Sequence, residues 1–519
     1  MAEQQQRGVD EGDPAADRLT GLPQAIWVHI LSLLPTREAV ATGLLSRRWR
    51  RRWHHLPHLD LDPDAFYVAA GRPPPPPCGY GSCRTPDFAA FLDLVLPACA
   101  VRRTVRRLAL RPACQCRSSS GGIDRWVRLA MAARRVEAAE LDFSRFSWAY
   151  DLGGSIPYGL GPVAVPETLQ ELKLVSCAFS TPGFGTFAGL KTLALASVTL
   201  HEGDPISQCP LLERLTMRDC KLQGTLEILH ARLRRLEVEH CSFSSWSGAP
   251  MEVDAPDLET LSVTGLLCCD ALVVRNALRL RSLAVENCFM RKEEGLGVSL
   301  QVEAPELSAF RFVGSVGREC SLCGGAGQLE NVEMEVYPWG DQMGTAHSSS
   351  SWIRELLNWV SSARTLTLSG GSLQCLSMEI DAPEMSLPNK FNNLKALRLD
   401  VGLVPMELPG MACLLRSSPF LHTLSISLGD QHTNNASPDH PVNLHYELQN
   451  LDQLYGDYWE TQESPISCLV HHLKRVEIKN YKGRQIEEEL ACFLANNAMV
   501  LKEMPISTPS TTFSGFDFL

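Results

Sequence analysis

No stretch of this sequence reaches the roughly 18 consecutive apolar residues that a membrane-crossing helix needs. The best candidate, Ala89 to Val101, is short and carries Asp93 and Pro97. The segment MAEQQQRGVDEGDPAADR has neither a basic start nor an apolar run, so no secretory signal is visible. A soluble protein of the nucleus and/or cytoplasm is expected, with no membrane partner. An excess of positive charge is missing as well: 48 Lys and Arg stand against 59 Asp and Glu, a formal net charge of −11. That balance argues against a general nucleic-acid binder, because phosphate contacts need clustered Lys and Arg. Catalytic signatures are lacking too. There is no HExxH, GxSxG or P-loop, and Gly183-Phe184-Gly185 does not sit in a strand-to-helix dinucleotide unit. No cofactor is implied, no catalytic residue can be named, and the chain is expected not to be an enzyme.

Cysteine is present in number but not in a disulfide or metal pattern. Its 18 copies are scattered over a chain with no secretion signal. Cys320-x-x-Cys323 resembles half a zinc site and Cys114-x-Cys116 lies upstream, but no second pair falls at a persuasive distance. These are expected to be cysteines of a Gly-rich surface loop, with no metal bound. The adjacent pairs His54-His55 and His471-His472 point in different directions on a helix or strand and suggest no site.

What the sequence does have is a repeat. LQELKLVSCAF begins at Leu169, LKTLALASVTL at Leu190, LERLTMRDCKL at Leu212 and LRRLEVEHCSF at Leu233; LETLSVTGLLC follows at Leu258 and LRSLAVENCFM at Leu280. Successive starts lie 21, 22, 21, 25 and 22 residues apart, within the range of about 20–29 for leucine-rich repeats. Looser copies start at Leu307, Leu329, Ala363, Leu394, Leu421 and Leu473, and two more upstream at Val105 and Ala138. In x-L-x-L-x the leucines alternate inward from a short strand, and the x positions are displayed on the concave face. Stacked in parallel, each strand covers its neighbour's core. Cys177, Cys220, Cys241 and Cys288 fall where the chain leaves the strand, as small buried side chains. Repeats this short leave room for helical turns on the convex side, with true helices only in longer units such as Ser351–Val360. The composition of His432–Pro441 predicts a surface loop, and the Asn435 sequon within it is taken as chance.

The N-terminal block is different. Pro23 suits a first helical turn, and Ile26, Ile30 and Leu34 follow at four-residue intervals, widened by Leu31 and Leu33. Pro35 stops that helix, Thr36 is a candidate cap for the next, and a third helical stretch is expected from Leu44 to Trp53. In the run from Arg47 to Trp53 the tryptophans are expected inward and the arginines solvated. Three short helices make a marginal core, and such a unit often needs a partner surface.

These residues carry a resemblance. Leu22-Pro23, Ile30-Leu31, Leu33-Leu34-Pro35 and Leu45-Ser46-Arg47-Arg48-Trp49-Arg50 with Trp53 resemble an F-box in order, spacing and location. The phrases VDAPDLETL and VEAPELSAF, with FAAFLDLVLPAC from Phe88 and IDRWVRLAMAARRVEAAELDF from Ile123, look like plant F-box/leucine-rich-repeat proteins. LKRVEIKNYKGRQIEEELACFLANNAMVLKEM is similar to the FBD motif. The resemblance implies an α/β fold: a three-helix F-box, then a leucine-rich-repeat solenoid built as a parallel-strand horseshoe. The expected organisation is a tail over 1–16, the F-box over 17–62, and a Pro/Gly-rich linker over 63–87 containing Pro73–Pro77. Repeats then fill 88–464, the FBD-like segment 465–505 and a tail 506–519.

The resemblance also implies a role in an SCF-type ubiquitin-protein ligase. Leu22, Pro23, Ile26, Ile30, Leu31 and Leu34 would dock into a Skp-type adaptor, and through it the cullin and RING subunits. A target protein of unknown identity would lie on the concave face, where the candidate contacts are Lys173, Arg218, Glu237, Glu239, Glu286, Arg311, Glu333 and Arg398; Arg214, Arg235, Glu335 and Asp400 are displayed there too. The alternatives are a repeat scaffold outside ubiquitination, or a co-receptor that uses a small molecule.

Overall fold

The computed structural model describes residues 21–509, except 74–85, 102–103, 113–119, 134, 146–147, 150–154, 157, 161–163, 180–186, 202–205, 245–248, 292–295, 315, 324–328, 337–350, 379, 381–385, 430–457, 461 and 463–464. The expected tail over 1–16, residues 510–519 of the tail expected over 506–519, most of the proline run, Cys114 and Cys116, and the His432–Pro441 loop lie outside the described residues. The chain divides into two compact units, residues 1–199 with 208–211, and residues 200–207 with 212–519.

In the first unit Pro23 precedes helix α1 (Gln24–Ser32), and Pro35 precedes α2 (Thr36–Ala41). Each proline supplies the extended backbone before a helix and blocks extension of whatever comes upstream. Thr36 is the first residue of α2 rather than its cap; its hydroxyl accepts a hydrogen bond from the Asp60 N–H at 3.1 Å. The third helix expected over Leu44–Trp53 is not an α-helix. Two 3₁₀ turns, Thr42–Leu44 and Arg52–His55, flank a run of turns. Gly43 sits where an added Cβ would lie 3.3 Å from the Arg50 backbone, so the chain folds tightly back on itself. A continuous helix would also stack the arginines at i, i+3 and i, i+4, where like charges repel. The turns instead bury Trp49 and Trp53 and lay the Arg52 guanidinium over Trp49 and Trp27, at 4.5 and 5.2 Å from the ring centroids.

Among the described residues the same unit has one ladder of five parallel strands: β1 (His58–Leu61), β2 (Arg107–Leu110), β3 (Ala138–Asp142), β4 (Glu171–Val175) and β5 (Thr192–Ala196). Their inward residues, such as Leu61, Leu110 and Leu174, are fully buried. Strand β1 falls in the segment expected to finish the F-box, and LPHLDL from Leu56 is in fact a repeat unit of the L-x-x-L-x-L kind. Nor is the segment from Pro63 a plain linker. Asp62 accepts a hydrogen bond from the Asp64 N–H at 2.8 Å and caps α3 (Pro63–Val68), which buries Phe66 and Tyr67. Helices α4 (Pro86–Val101) and α5 (Ser120–Met131) follow, with Trp126 Nε1 donating to Asp93 at 2.8 Å.

The second unit continues the pattern with ten parallel strands: β6 (Arg214–Arg218), β7 (Arg235–Glu239), β8 (Thr260–Thr264), β9 (Ser282–Glu286), β10 (Ala309–Gly314), β11 (Asn331–Val336), β12 (Thr365–Ser369), β13 (Ala396–Val401), β14 (Thr423–Leu428) and β15 (Arg475–Lys479). All fourteen expected repeat starts yield a strand of one or other ladder. The fold is a mixed α/β leucine-rich-repeat solenoid. Its shorter repeats return through strands rather than helical turns. Ala249–Asp254 pairs in parallel with Leu226–Leu229 and with Cys269–Arg275, which pairs with Leu296–Glu303. Met251, Val253, Leu272, Val274, Leu300 and Val302 are buried from these return strands, an alternation of period two that excludes a helix. Cys320 and Cys323 lie in one more such strand, Val316–Cys323, and not in a loop. Helices return in the longer units: α6 (Ser351–Trp359), α7 (Gly370–Ser377), α8 (Leu408–Ser417), α9 (Ser467–His471) and α10 (Gln485–Asn497). No helix among the described residues is long and apolar enough to cross a membrane.

Candidate interaction surfaces

Helix α1 divides its apolar residues between two directions. Trp27 and Leu31, four apart, are buried, whereas Ile26, Ile30 and Leu33 at i, i+4, i+7 share the adjacent face and are 47, 36 and 71 % exposed. Pro23 is exposed, and Leu22 and Leu34 are half-buried. Leu44 and Leu45, in the turn after α2, are 90 and 69 % exposed. An isolated exposed leucine is ordinary, but apolar residues concentrated on one small helical unit mark a contact surface. Of the six residues expected to dock, Pro23, Ile26 and Ile30 are exposed to reach a partner, and Leu22 and Leu34 are half-buried. Leu31 is buried and anchors α1 to the interior. Leu33, Leu44 and Leu45 were not in the expected set. Leu33 could have been read from its position seven residues after Ile26; the other two depend on the missing third helix.

The strand faces carry the charges. Each expected target contact lies at an outward position of a ladder strand, but most are already paired with a neighbour. In the first unit Lys173 Nζ lies 3.1 Å from Glu140. In the second, Arg218 pairs with Glu239 across β6 and β7 at 2.8 Å, and Thr216 Oγ1 donates to Glu237 at 3.4 Å. Arg311 Nε reaches Glu286 at 2.7 Å while its Nη1 pairs with Glu333. Those two carboxylates accepting from Arg311 raise its pKa despite partial burial. Arg398 is exposed on β13 beside Asp400, whose carboxyl is raised by partial burial and by Glu333, against a hydrogen bond from Ser427 and the charges of Lys479 and Arg398. Half-exposed pairs of this kind stabilise little. Their effect is to leave a face of balanced charge, suited to a polar protein surface.

One cluster escaped the sequence reading. In the first unit Arg111, just beyond β2, lies 2.6 Å from Asp60, 3.5 Å from Asp62, 3.5 Å from Glu140 and 3.7 Å from Asp142. Burial opposes the Arg111 charge, but Asp60, Glu140 and Asp62 outweigh it and raise the pKa; burial also raises Asp60. The signal was there in the register, since Asp60, Ala109 and Glu140 are direct cross-strand partners.

The thiols at the strand exits are buried structural groups. Cys220 Sγ donates to the Arg218 carbonyl, Cys241 to those of Glu239 and Met217, and Cys288 to those of Glu286 and Val263. Burial pushes the Cys288 thiol up to about 11 and Cys269 up to about 12. Among the described residues no group of three or more His, Cys, Asp or Glu is placed to hold a metal ion.

Comparison with known proteins places names on these parts. Residues 19–60 match the F-box domain, 101–294 the At1g61320/AtMIF1 LRR domain and 460–506 the FBD. The chain is 23 % identical to the putative F-box/FBD/LRR-repeat protein At4g03220 of Arabidopsis thaliana, over 94 % of this chain and 89 % of that one. It is 25 % identical to the putative FBD-associated F-box protein At3g50710 of the same plant, over 95 and 93 %. A third relative there, the putative F-box/FBD/LRR-repeat protein At3g59240, is 31 % identical over 47 % of this chain and 46 % of its own. The chain thus carries an F-box, a leucine-rich-repeat domain and an FBD segment in that order, and is similar along most of its length to F-box/FBD/LRR-repeat proteins of that plant.

Proposed function

We propose that this chain is the substrate-recognition subunit of an SCF-type ubiquitin-protein ligase, acting in the nucleus and/or cytoplasm. The exposed apolar face of α1, with Ile26, Ile30 and Leu33 held outward by buried Trp27 and Leu31, is the observation that supports it most. A Skp-type adaptor covers that face and connects the chain to cullin and RING subunits. The strand faces of the repeats hold a target protein, with Lys173, Arg218, Glu237, Glu239, Glu286, Arg311, Glu333 and Arg398 as its contacts. The chain itself is no enzyme. It supplies proximity, raising the local concentration of target lysines at the charged ubiquitin.

Co-purification of the full chain with a Skp-type adaptor tests this reading. Wild type is expected to bring the adaptor down, and Ile26→Asp/Ile30→Asp to lose at least about tenfold of it, since two central apolar anchors are replaced by charges. The pair Leu22→Ala/Pro23→Ala is expected to weaken it less. A wild-type chain that captures no adaptor would end the ligase assignment. Retention by the aspartate variant would move the contact elsewhere on the F-box.

A further inference from the structure

The residue following the first apolar position of each L-x-x-L-x-L unit forms a row along the second unit. Main-chain N–H to carbonyl bonds join most neighbours within it. The row begins Glu213, Arg234, Glu259, Arg281, Ser308, Glu330, each N–H donating to the carbonyl of the residue before it at 2.8–3.0 Å. Signs alternate here, and Arg234 pairs with Glu259 at 3.7 Å. Then the pattern changes. The next member is Arg364, whose N–H donates to the Leu329 carbonyl at 3.0 Å; Lys395, His422, Lys474 and Lys502 follow, each N–H donating to the carbonyl of the member before it at 2.8–3.0 Å. Five consecutive basic side chains follow with no carboxylate among them, in a chain whose net charge is −11.

Among the described residues, no ion pair ties any of the five to an acid. Arg364, Lys474 and Lys502 are exposed, and Lys395 and His422 half-exposed. Partial burial together with Lys395, Lys474 and His472 holds the His422 imidazole below its ordinary value. The turns leading into these strands add an apolar shoulder. Phe420 is 41 % exposed with Lys395 Nζ 5.6 Å from its ring centroid, and Met499 and Val500 are exposed beside Lys502.

We infer that this row is a docking strip for an extended, Asp/Glu-rich segment of a target protein, carrying an apolar residue that rests against Phe420 and Val500; the inference builds on the substrate-receptor reading above. Four inter-strand steps of about 4.8 Å span roughly 19 Å, the length of about six extended residues. A row that neutralises itself over its first half and not over its second leaves its charge for something else, and the complement of a short cationic row is a short anionic chain. Glu330 at one end and Glu503 beside Lys502 limit the length of any polyanion it accepts, and the apolar shoulder suits a peptide better than a phosphate backbone.

Fluorescence anisotropy with the purified full chain and a labelled Glu/Asp peptide containing one central Leu tests the strip. Binding is expected that weakens as salt rises, and that falls at least about tenfold in Lys395→Glu/Lys474→Glu but not in Arg234→Gln, which lies in the alternating half. Lys395→Ala/Lys474→Ala, which adds no repulsion, is expected to lie between. Equal binding by the charge-reversed chain overturns the inference. So does equal binding of the Gln/Asn counterpart peptide, binding only when the peptide carries phosphoserine, or displacement of the peptide by a short single-stranded oligonucleotide at lower concentration. The same variants are then scored for adaptor co-purification. Loss of peptide binding with the adaptor retained separates the strip from the F-box, and failure of the strip leaves the adaptor result standing.

Discussion

At the scale of single residues, the strand exits are the most constrained points in the repeats. Ser176, Asp219, His240 and Asn287 sit at φ 55, 52, 52 and 52, each just before the buried cysteine of its repeat. The left-handed conformation costs an ordinary L-residue about 1–2 kcal/mol, least for short polar side chains that bond locally. Asn, Asp and Ser in front of Cys were therefore a readable signal, although the sequence reading placed the turn on the cysteine itself. Gly265 takes the same role at φ +65, and a Cβ there would lie 2.6 Å from His240 Nδ1. Gly265→Ala is expected to cost at least about 1–2 kcal/mol, read by denaturant unfolding and by faster exchange of the Gly265 amide, which donates to the Glu286 carbonyl. Gly159→Ala, with open space and no left-handed φ, should change neither. The cysteines themselves make a second test. With Cys288 pushed up to about 11, only about one thiol in a thousand is ionised at pH 8. Peptide-resolved alkylation should therefore modify exposed Cys492 quickly and leave Cys241 and Cys288 intact until the fold opens.

Among the elements, helix starts show what tertiary contacts add to a pattern. Glu487 of α10 stands first in the run Glu487-Glu488-Glu489, whose composition suits a solvated helix start, yet it is 1 % exposed. Its Oε2 accepts the N–H groups of Lys482 and Gly483 at 2.8 and 2.9 Å, and its Oε1 pairs with Arg484, which also donates to the Gly402 carbonyl at 3.0 Å. Burial alone would raise this carboxyl, but the bonds from Arg484 and the loop N–H groups win and hold it below 4.5. A depressed carboxyl stabilises the fold fully above its unfolded value and loses that contribution as pH falls through the folded one. Glu487→Gln should cost about 1–3 kcal/mol near neutrality, seen as faster hydrogen exchange across α10, and the gap from wild type should close as pH falls below 4.5. Glu407 behaves oppositely: burial raises it over the hydrogen bonds from Gln374 and the Val404 N–H, so its ionised form opposes folding as pH rises. Nothing in the local pattern separates these two glutamates from solvated ones. Periodicity found α1, α6 and every ladder strand but β1. It missed α3, the return strands and the broken third F-box helix, because the tight approach of Gly43 to Arg50 and the stacking of Arg52 on two tryptophans are not periodic.

For the molecule as a whole, parallel ladders bring an edge problem that the repeat pattern does not reveal. A stack of parallel strands leaves unpaired N–H and C=O groups at its last member, a template for another chain. In the second unit β15 is followed by LKEMPI from Leu501, one more L-x-x-L-x-L unit in disguise. It pairs in parallel through Arg475 with Glu503 and Ile478 with Ile506. The Val476 and Ile478 N–H groups donate to the Glu503 and Pro505 carbonyls, both at 3.0 Å, and Ser507 N–H donates back to Ile478 at 2.9 Å. Glu503, Pro505 and Ser507 turn their main-chain groups toward β15, so the N–H that proline lacks at 505 is on the inward side, and Met504 and Ile506 face away from the ladder. The segment therefore covers the β15 edge, and the FBD match runs to 506, across most of it. Deleting residues 501–519 should uncover the β15 edge while leaving the F-box untouched. The expected outcome is a chain that still captures the adaptor but self-associates in light scattering, increasingly with concentration. A truncated chain that stays monomeric would mean that β15 needs no cover, and that the segment serves some purpose other than covering that edge.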